Sequence, residues 1–269
     1  MPTSRFVDYR EVDPESFIDV PNATPEHGRG AWTREGIDFD YRYRLAPLAR
    51  QRVGRHPDRS LSHWAVAAGT AAIQRRLVEL ECLDPVVDHG VFNRKTAEAV
   101  SRFQLMENDP DGGAELIVDG IVGRSDARAL FTPLVDQAEV THRIPNRLLL
   151  GQTVHESALD PGAVGYFIFY PDYRGVDRGF SQINSRAHPD ITWQQAFDPV
   201  FALRYSGKRM RETYDTYRKA HPKRRKAVLW DAAVCAHNSP VNGKKWAQTG
   251  TAPTEQAASY VAAVKNARY

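Results

Sequence analysis

Glu156 lies in the stretch LLLGQTVHESALDPGAVG (148–165), an acid set among leucine, valine and alanine. Leu149 lies seven residues before it and Leu159 three after it, so helical periodicity places all three on one face. Leu150, Val154 and Ala158 mark a second apolar face, which predicts a buried helix over 144–159 with Pro145 in its first turn. At the edge of such a core a carboxyl group is kept from water, and its protonated form is favoured. That is the form a general acid must hold to protonate a leaving oxygen. The alternative is a structural glutamate held by an arginine or by backbone groups.

Further polar residues follow at intervals. The segment VDRGFSQINSRAHPD (176–190) offers Ser181, Gln182 and Asn184 on a strand-like run, short groups suited to sugar hydroxyls and amides. Asp177 is the nearest second carboxylate, with Asp172 behind it and Arg174 and Arg178 as ready partners. The alanine-rich stretch LWDAAVCAHNSP (229–240) ends in His237 and Asn238. Asp198 and Pro199 read as the cap and first turn of a helix. His155 falls on a different helix face from Glu156 and is given no role. His27, His56 and His63 lack ligand spacing and a cysteine cluster, so no metal or cofactor is expected.

The elements that must position these residues fall into three regions of a mainly α chain. Residues 1–66 are irregular, broken by Pro and Gly, with FDYRYRL (39–45) as a short strand. Residues 67–135 hold an internal repeat: DHGVFNRKTAEAV (88–100) aligns with VDGIVGRSDARAL (118–130), Gly90 falling on Gly120, thirty residues apart. Each unit reads as a turn, an apolar pair and a short helix, with glycine permitting positive φ and Thr96 or Asp126 capping the helix. A leading helix AAIQRRLVELECL (71–83) completes a small three-helix core. The segment DPDGG (109–113) lacks alternating calcium ligands and reads as a turn. Residues 136–269 are helical by period and carry the candidate chemistry.

Composition narrows the options. The net charge of +3 is too mild to argue for nucleic acid, and it suits an anionic polymer. The basic run KAHPKRRKAV (219–228) reads first as a solvated helix start, with long-range attraction to anionic polymers as the other reading. No apolar run reaches the roughly 20 residues of a membrane span, and the N-terminus has no secretory signal pattern. Cys82 and Cys235 lie far apart and read as reduced, buried thiols, as expected of a chain made in a reducing cytosol.

Two resemblances give these patterns a direction. AIQRRLVEL, DHGVFNRKTAEAVSRFQ and VDGIVGRSDARAL resemble, in order, the peptidoglycan-binding type 1 domain, although Asn93 replaces a motif glycine and ENDPDGGAEL (107–116) lengthens the middle loop. By that resemblance residues 67–135 bind wall peptidoglycan, and Phe103 and Gln104 belong to a core helix. Over 136–269, Glu156-Ser157 with Pro161, Ala163 and Val164, then Gly179 to Asn184, then Phe197-Asp198-Pro199, then Ala236-His237-Asn238 resemble the motifs of the lytic transglycosylase and goose-type lysozyme superfamily. The resemblance implies an α+β lysozyme-like catalytic domain in which Glu156 is the acid/base cutting the MurNAc–GlcNAc bond of peptidoglycan. It also implies that Ser181, Gln182, Asn184, His237 and Asn238 line the glycan groove. His237 stands where the family has tyrosine, and it either bonds the sugar or fills the space.

Two mechanisms follow. In the single-acid route the sugar's own primary hydroxyl closes an anhydro ring; in the goose-type route a second carboxylate, Asp177, positions water. A wall-binding module joined to a glycan-cleaving domain, without a signal or disulfide, points to a bacteriophage lytic protein: an endolysin released through a holin, or a virion lysin docking on tail proteins through residues 1–66. No membrane or nucleic-acid partner is expected. The competing class is a non-catalytic wall-binding virion protein that has kept the fold.

Overall fold

The computed structural model describes residues 61–85, 90–108, 115–167 and 175–267. The irregular region, its short strand, the DPDGG turn, Asp172 and Arg174 lie outside them, as do the side chains of His27, His56 and His63. The described chain is mainly helical: α1 (Leu61–Glu79), α2 (Arg94–Glu107), α3 (Arg124–His142), α4 (Leu148–Ser157), α5 (Trp193–Ala196), α6 (Pro199–Ala220), α7 (Lys226–Asn238), α8 (Pro240–Thr249) and α9 (Glu255–Asn266). Strands β1 (Val164–Phe167) and β2 (Gly175–Arg178) form one antiparallel ribbon, with Val164 opposite Arg178 and Phe167 opposite Gly175. Among the described residues no helix is long and apolar enough to cross a membrane.

Two compact units emerge, and they do not follow chain order. One takes the described residues up to Phe131 together with Leu159–Pro199, and the other takes Thr132–Ala158 and Val200 onward. The division falls inside α3 and again at the end of α4. In the first unit Phe131 meets Phe180 edge-on with ring centroids 4.8 Å apart, and Arg75 pairs with Asp198 at 2.6 Å. These contacts tie segment 159–199 to the three-helix part.

That part carries its repeat in atomic detail. Gln74 of α1 accepts from the Gly90 amide at 2.9 Å and donates to Val91 O and Thr96 Oγ1, both at 3.0 Å. Gln104 of α2, thirty residues later, accepts from the Gly120 amide at 3.0 Å and donates to Ile121 O at 2.9 Å and Asp126 Oδ1 at 3.0 Å. Gly90 and Gly120 both take positive φ, 81° and 71°. Both glutamines are fully buried. Each spends its amide on one turn and on the first turn of the next helix, and so pairs backbone groups that the turn would otherwise bury.

Local chemistry moves several boundaries. The leading helix starts at Leu61, ten residues before the expected start, and ends at Glu79. Glu81 at φ 57° closes it: Cys82 N bonds Leu77 O at 2.8 Å and Glu81 N bonds Val78 O at 3.0 Å. That is the double bond of a Schellman stop, so Leu83 lies beyond the helix. Asn93, the departure from the glycine motif, is itself the N-cap of α2 and accepts from Thr96 N at 3.1 Å. Thr96 is therefore the capped residue and not the cap. Asp126 reaches back from inside α3 to Gly123 N at 2.8 Å, the half of a capping box that an acid supplies. Burial pushes the Asp126 carboxyl above its ordinary range. Both cysteines are buried free thiols, and burial raises each thiol as well.

Candidate active site

The helix bearing Glu156 begins at Leu148, four residues after the expected start, and Ile144 and Pro145 lie in the loop before it. Its cap comes from elsewhere. Arg147 at the N-cap position has φ 60° and does not cap the helix with its side chain. Instead Glu139 of α3, 3 % exposed, accepts from Arg147 N at 2.5 Å, Leu149 N at 2.6 Å and Leu150 N at 3.1 Å. The carboxylate neutralises three orphan amides at the positive end of the helix. Burial nonetheless pushes Glu139 up from its ordinary value, with those three bonds opposing the shift. Ala158 and Leu159, at φ 55° and 63°, stop the helix directly after Ser157.

Leu148, Leu149, Leu150, Gln152, Thr153 and Ser157 are buried, so the face of Leu149 and Leu159 is embedded as expected, while Val154 and Ala158 of the second face are half-buried. Glu156 keeps a side-chain exposure of 14 %, the expected place at the edge of the core. There it meets a residue that the sequence reading passed over. Tyr260 of α9, 8 % exposed, donates its hydroxyl to Glu156 Oε1 at 2.5 Å. His155 packs edge-on against the Tyr260 ring at 5.2 Å, so it supports the residue that holds the acid. His237 of α7 brings Nε2 to 3.8 Å from the same Oε1. Tyr260 stands 104 residues from Glu156, and it could have been found only by asking which apolar position of α9 carries a hydroxyl.

This geometry distinguishes the two carboxyl oxygens. An oxygen that accepts the Tyr260 hydroxyl at 2.5 Å is engaged as an acceptor, so Oε2 is the oxygen left to exchange a proton with a group in hydrogen-bond reach of it. Asn238 is exposed at the end of α7, beside Ser239, whose hydroxyl accepts from Asn242 N to open α8. Gly243 lets α8 lie close on α7: a Cβ there would come within 2.7 Å of Ala232 O.

Asp177, Ser181, Gln182 and Asn184 belong to the other unit. Residues 179–182 form a turn, not a strand-like run, because Gly179 and Gln182 both take positive φ, 65° and 48°. Gly179 is also required by space, since a Cβ would sit 2.2 Å from Ala196 O. The Gln182 amide donates to Gly179 O at 2.8 Å and Ala163 O at 3.4 Å, within its own hairpin. Asn184 donates to Asp177 Oδ1 at 2.9 Å and accepts from Arg186 N and Ala187 N, both at 3.0 Å. Ser181 is buried. Arg178, fully buried, donates to Ile183 O at 3.0 Å, Ile191 O at 3.0 Å and His188 O at 3.4 Å, and lies over the Trp193 ring at 5.1 Å. The motif's polar side chains thus build the hairpin and its following loop before anything else. Among the described residues no group of His, Cys, Asp or Glu is gathered as a metal would require.

No protein-family model matches the chain, and no curated protein matches it.

Proposed function

We propose that the chain is a bacteriophage lytic enzyme that cleaves the MurNAc–GlcNAc bond of peptidoglycan, with Glu156 as its acid/base. The observation that carries this reading is the Tyr260 hydroxyl on Oε1 of a nearly buried glutamate, with His237 at 3.8 Å from the same oxygen. In the proposed step Oε2–H protonates the glycosidic oxygen as the C1–O bond breaks. The sugar's C6 hydroxyl attacks C1, and its proton returns to the Glu156 carboxylate. The products are an anhydro-muramic end and a free GlcNAc 4-hydroxyl, with no net consumption of water. The three-helix part is the wall-binding module of this reading, the remainder has the lysozyme-like architecture, and holin release or a virion tail brings the enzyme to the wall.

Asp177 is the second carboxylate of the competing hydrolytic route. Its Oδ1 already accepts from Asn184 within the hairpin, which favours the single-acid route. The test is Glu156→Gln, which keeps the Tyr260 contact in shape and removes the acid. The variant should fold, sediment with cell walls and lose about a thousandfold or more of its lytic rate, given that general acid–base catalysis supplies about 10²–10⁴-fold. A folded Gln variant that still lyses walls removes Glu156 from the chemistry. It would leave the non-catalytic wall-binding reading, or another acid, in its place.

A further inference from the structure

The two units differ in charge as well as composition. Residues 132–158 and 200–269 carry 16 basic and 7 acidic side chains, a net charge of +9, while the rest of the chain carries −6. The excess is concentrated. No acid occurs between Asp215 and Asp231, and none between Asp231 and Glu255. Lys219, Lys223, Arg225, Lys226, Lys244 and Lys245 are all exposed, and none makes an ion pair among the described residues.

The chain holds these cations in one place. Arg218 donates to Pro222 O at 2.8 Å and to Arg224 O at 3.1 Å, which fixes the turn between α6 and α7. Arg224 donates to Gln248 O at 2.5 Å and so fastens that turn to the end of α8. The guanidinium also lies where a Cβ on Gly250 would fall, 2.3 Å from Nη1. Lys244 and Lys245, four and three residues before Gln248, are thereby brought to the side of the turn. Two arginines are spent on building the platform, and six cations are left on it.

Stability does not explain the arrangement. Arg225 is the N-cap of α7 and Lys226 its first residue, with no acid in the first turn. Cations at that end oppose the helix dipole and destabilise the helix. Trp230 in the first turns of α7 is already stacked on Tyr214, with ring centroids 4.0 Å apart. A platform rich in cations whose tryptophan is so engaged suits a phosphate chain better than single-stranded nucleic acid, which asks for stacking. One exposed valine, Val241, is too little apolar surface to anchor in a bilayer.

We propose that this platform binds a polyol-phosphate polymer attached to the cell wall, holding the candidate active site against its substrate. The choice of a wall polymer rests on the function proposed above. Four engaged phosphates would cost about fiftyfold in affinity between 50 and 200 mM salt, by the coefficient for flexible single strands.

The test uses the full chain and a variant carrying Lys219→Gln, Lys223→Gln, Arg225→Gln and Lys226→Gln. Binding of purified poly(glycerol phosphate) is measured against salt, beside vesicles of anionic phospholipid and a single-stranded oligonucleotide. Cleavage of soluble, polymer-free glycan chains is followed in parallel. The wild type should bind the polymer with the steep salt slope, the variant should lose at least tenfold in affinity with a flattened slope, and both should cleave soluble glycan at one rate. The proposal is overturned by equal polymer binding in the variant, by no polymer binding at low salt, or by tighter binding to vesicles or oligonucleotide than to the polymer. Failure of the wild type to cleave soluble glycan, with polymer binding intact, would refute the glycosidase reading and leave the platform standing.

Discussion

Replacing Tyr260 by Phe removes one oxygen and leaves the ring against His155 in place. In the proposed mechanism the hydroxyl donates first to the protonated acid, a bond of about 0.5–1.5 kcal/mol. As Glu156 gives up its proton the same bond becomes one to a charged acceptor, about 1.5–3 kcal/mol. The gain on reaching the transition state is therefore about 1–1.5 kcal/mol, which corresponds to about five- to fifteenfold in kcat. Substrate binding does not use this bond, so KM should stay within about twofold. The variant also leaves Glu156 Oε1 without its donor, and folding stability should fall by about 1 kcal/mol. Steady-state cleavage of soluble glycan chains reads the first effect and a thermal melt reads the second. A Phe variant with wild-type kcat and a lowered Tm would show that Tyr260 holds α9 to α4 and nothing more. A kcat loss of a thousandfold would instead make Tyr260 itself a proton donor.

Three further outcomes can be measured. Gln104→Ala leaves the Asp119 and Gly120 amides and the Ile121 carbonyl without their partner, and should cost about 3 kcal/mol or more; a loss under 1 kcal/mol in denaturant unfolding would refute the role given to the glutamine. His142 is held below its ordinary value of 6.5 by burial first and by Lys208 and Arg204 next, with an Arg204 backbone bond and Glu212 opposing, and its Nε2 has no acceptor. The unfolded chain therefore binds the extra proton more readily, so stability is full above pH 6.5 and is lost as pH falls below it; His142→Phe should flatten that limb in pH-dependent unfolding, and an unchanged limb would refute the assignment. Asp177→Asn keeps a partner for Asn184 and should retain most activity with anhydro-muramic products by mass spectrometry, whereas a dead variant of an enzyme giving reducing-end products would establish the hydrolytic route.

What the sequence made legible was local. The thirty-residue repeat, the embedded helix around Glu156 and the place of Glu156 at its edge all follow from periodicity within a few turns. Gln74 and Gln104 repeat at the same spacing, but their matching roles are not legible from it, because each acts on a turn 15 or more residues further along. The start of α4 was misjudged because Pro145 is a local signal and Glu139 is a remote one, eight residues back on another helix. The strand-like reading of Ser181 to Asn184 failed on Gln182, since nothing in a glutamine announces positive φ. Tyr260 was invisible for the same reason as Glu139: a side chain that acts across the fold leaves no pattern near its target.

The separation between partners also orders events in time. The bonds of Gln74 and Gln104 close loops of 15–22 residues, contacts of low order that form early in folding. The bond between Tyr260 and Glu156 closes a loop of 104 residues, so the acid gains its donor only when α9 docks. A nascent chain that has already folded its three-helix part still lacks the arrangement around Glu156. On the function proposed above this is a safeguard written into chain order: the part that would hold the wall is ready before the part that would cut it.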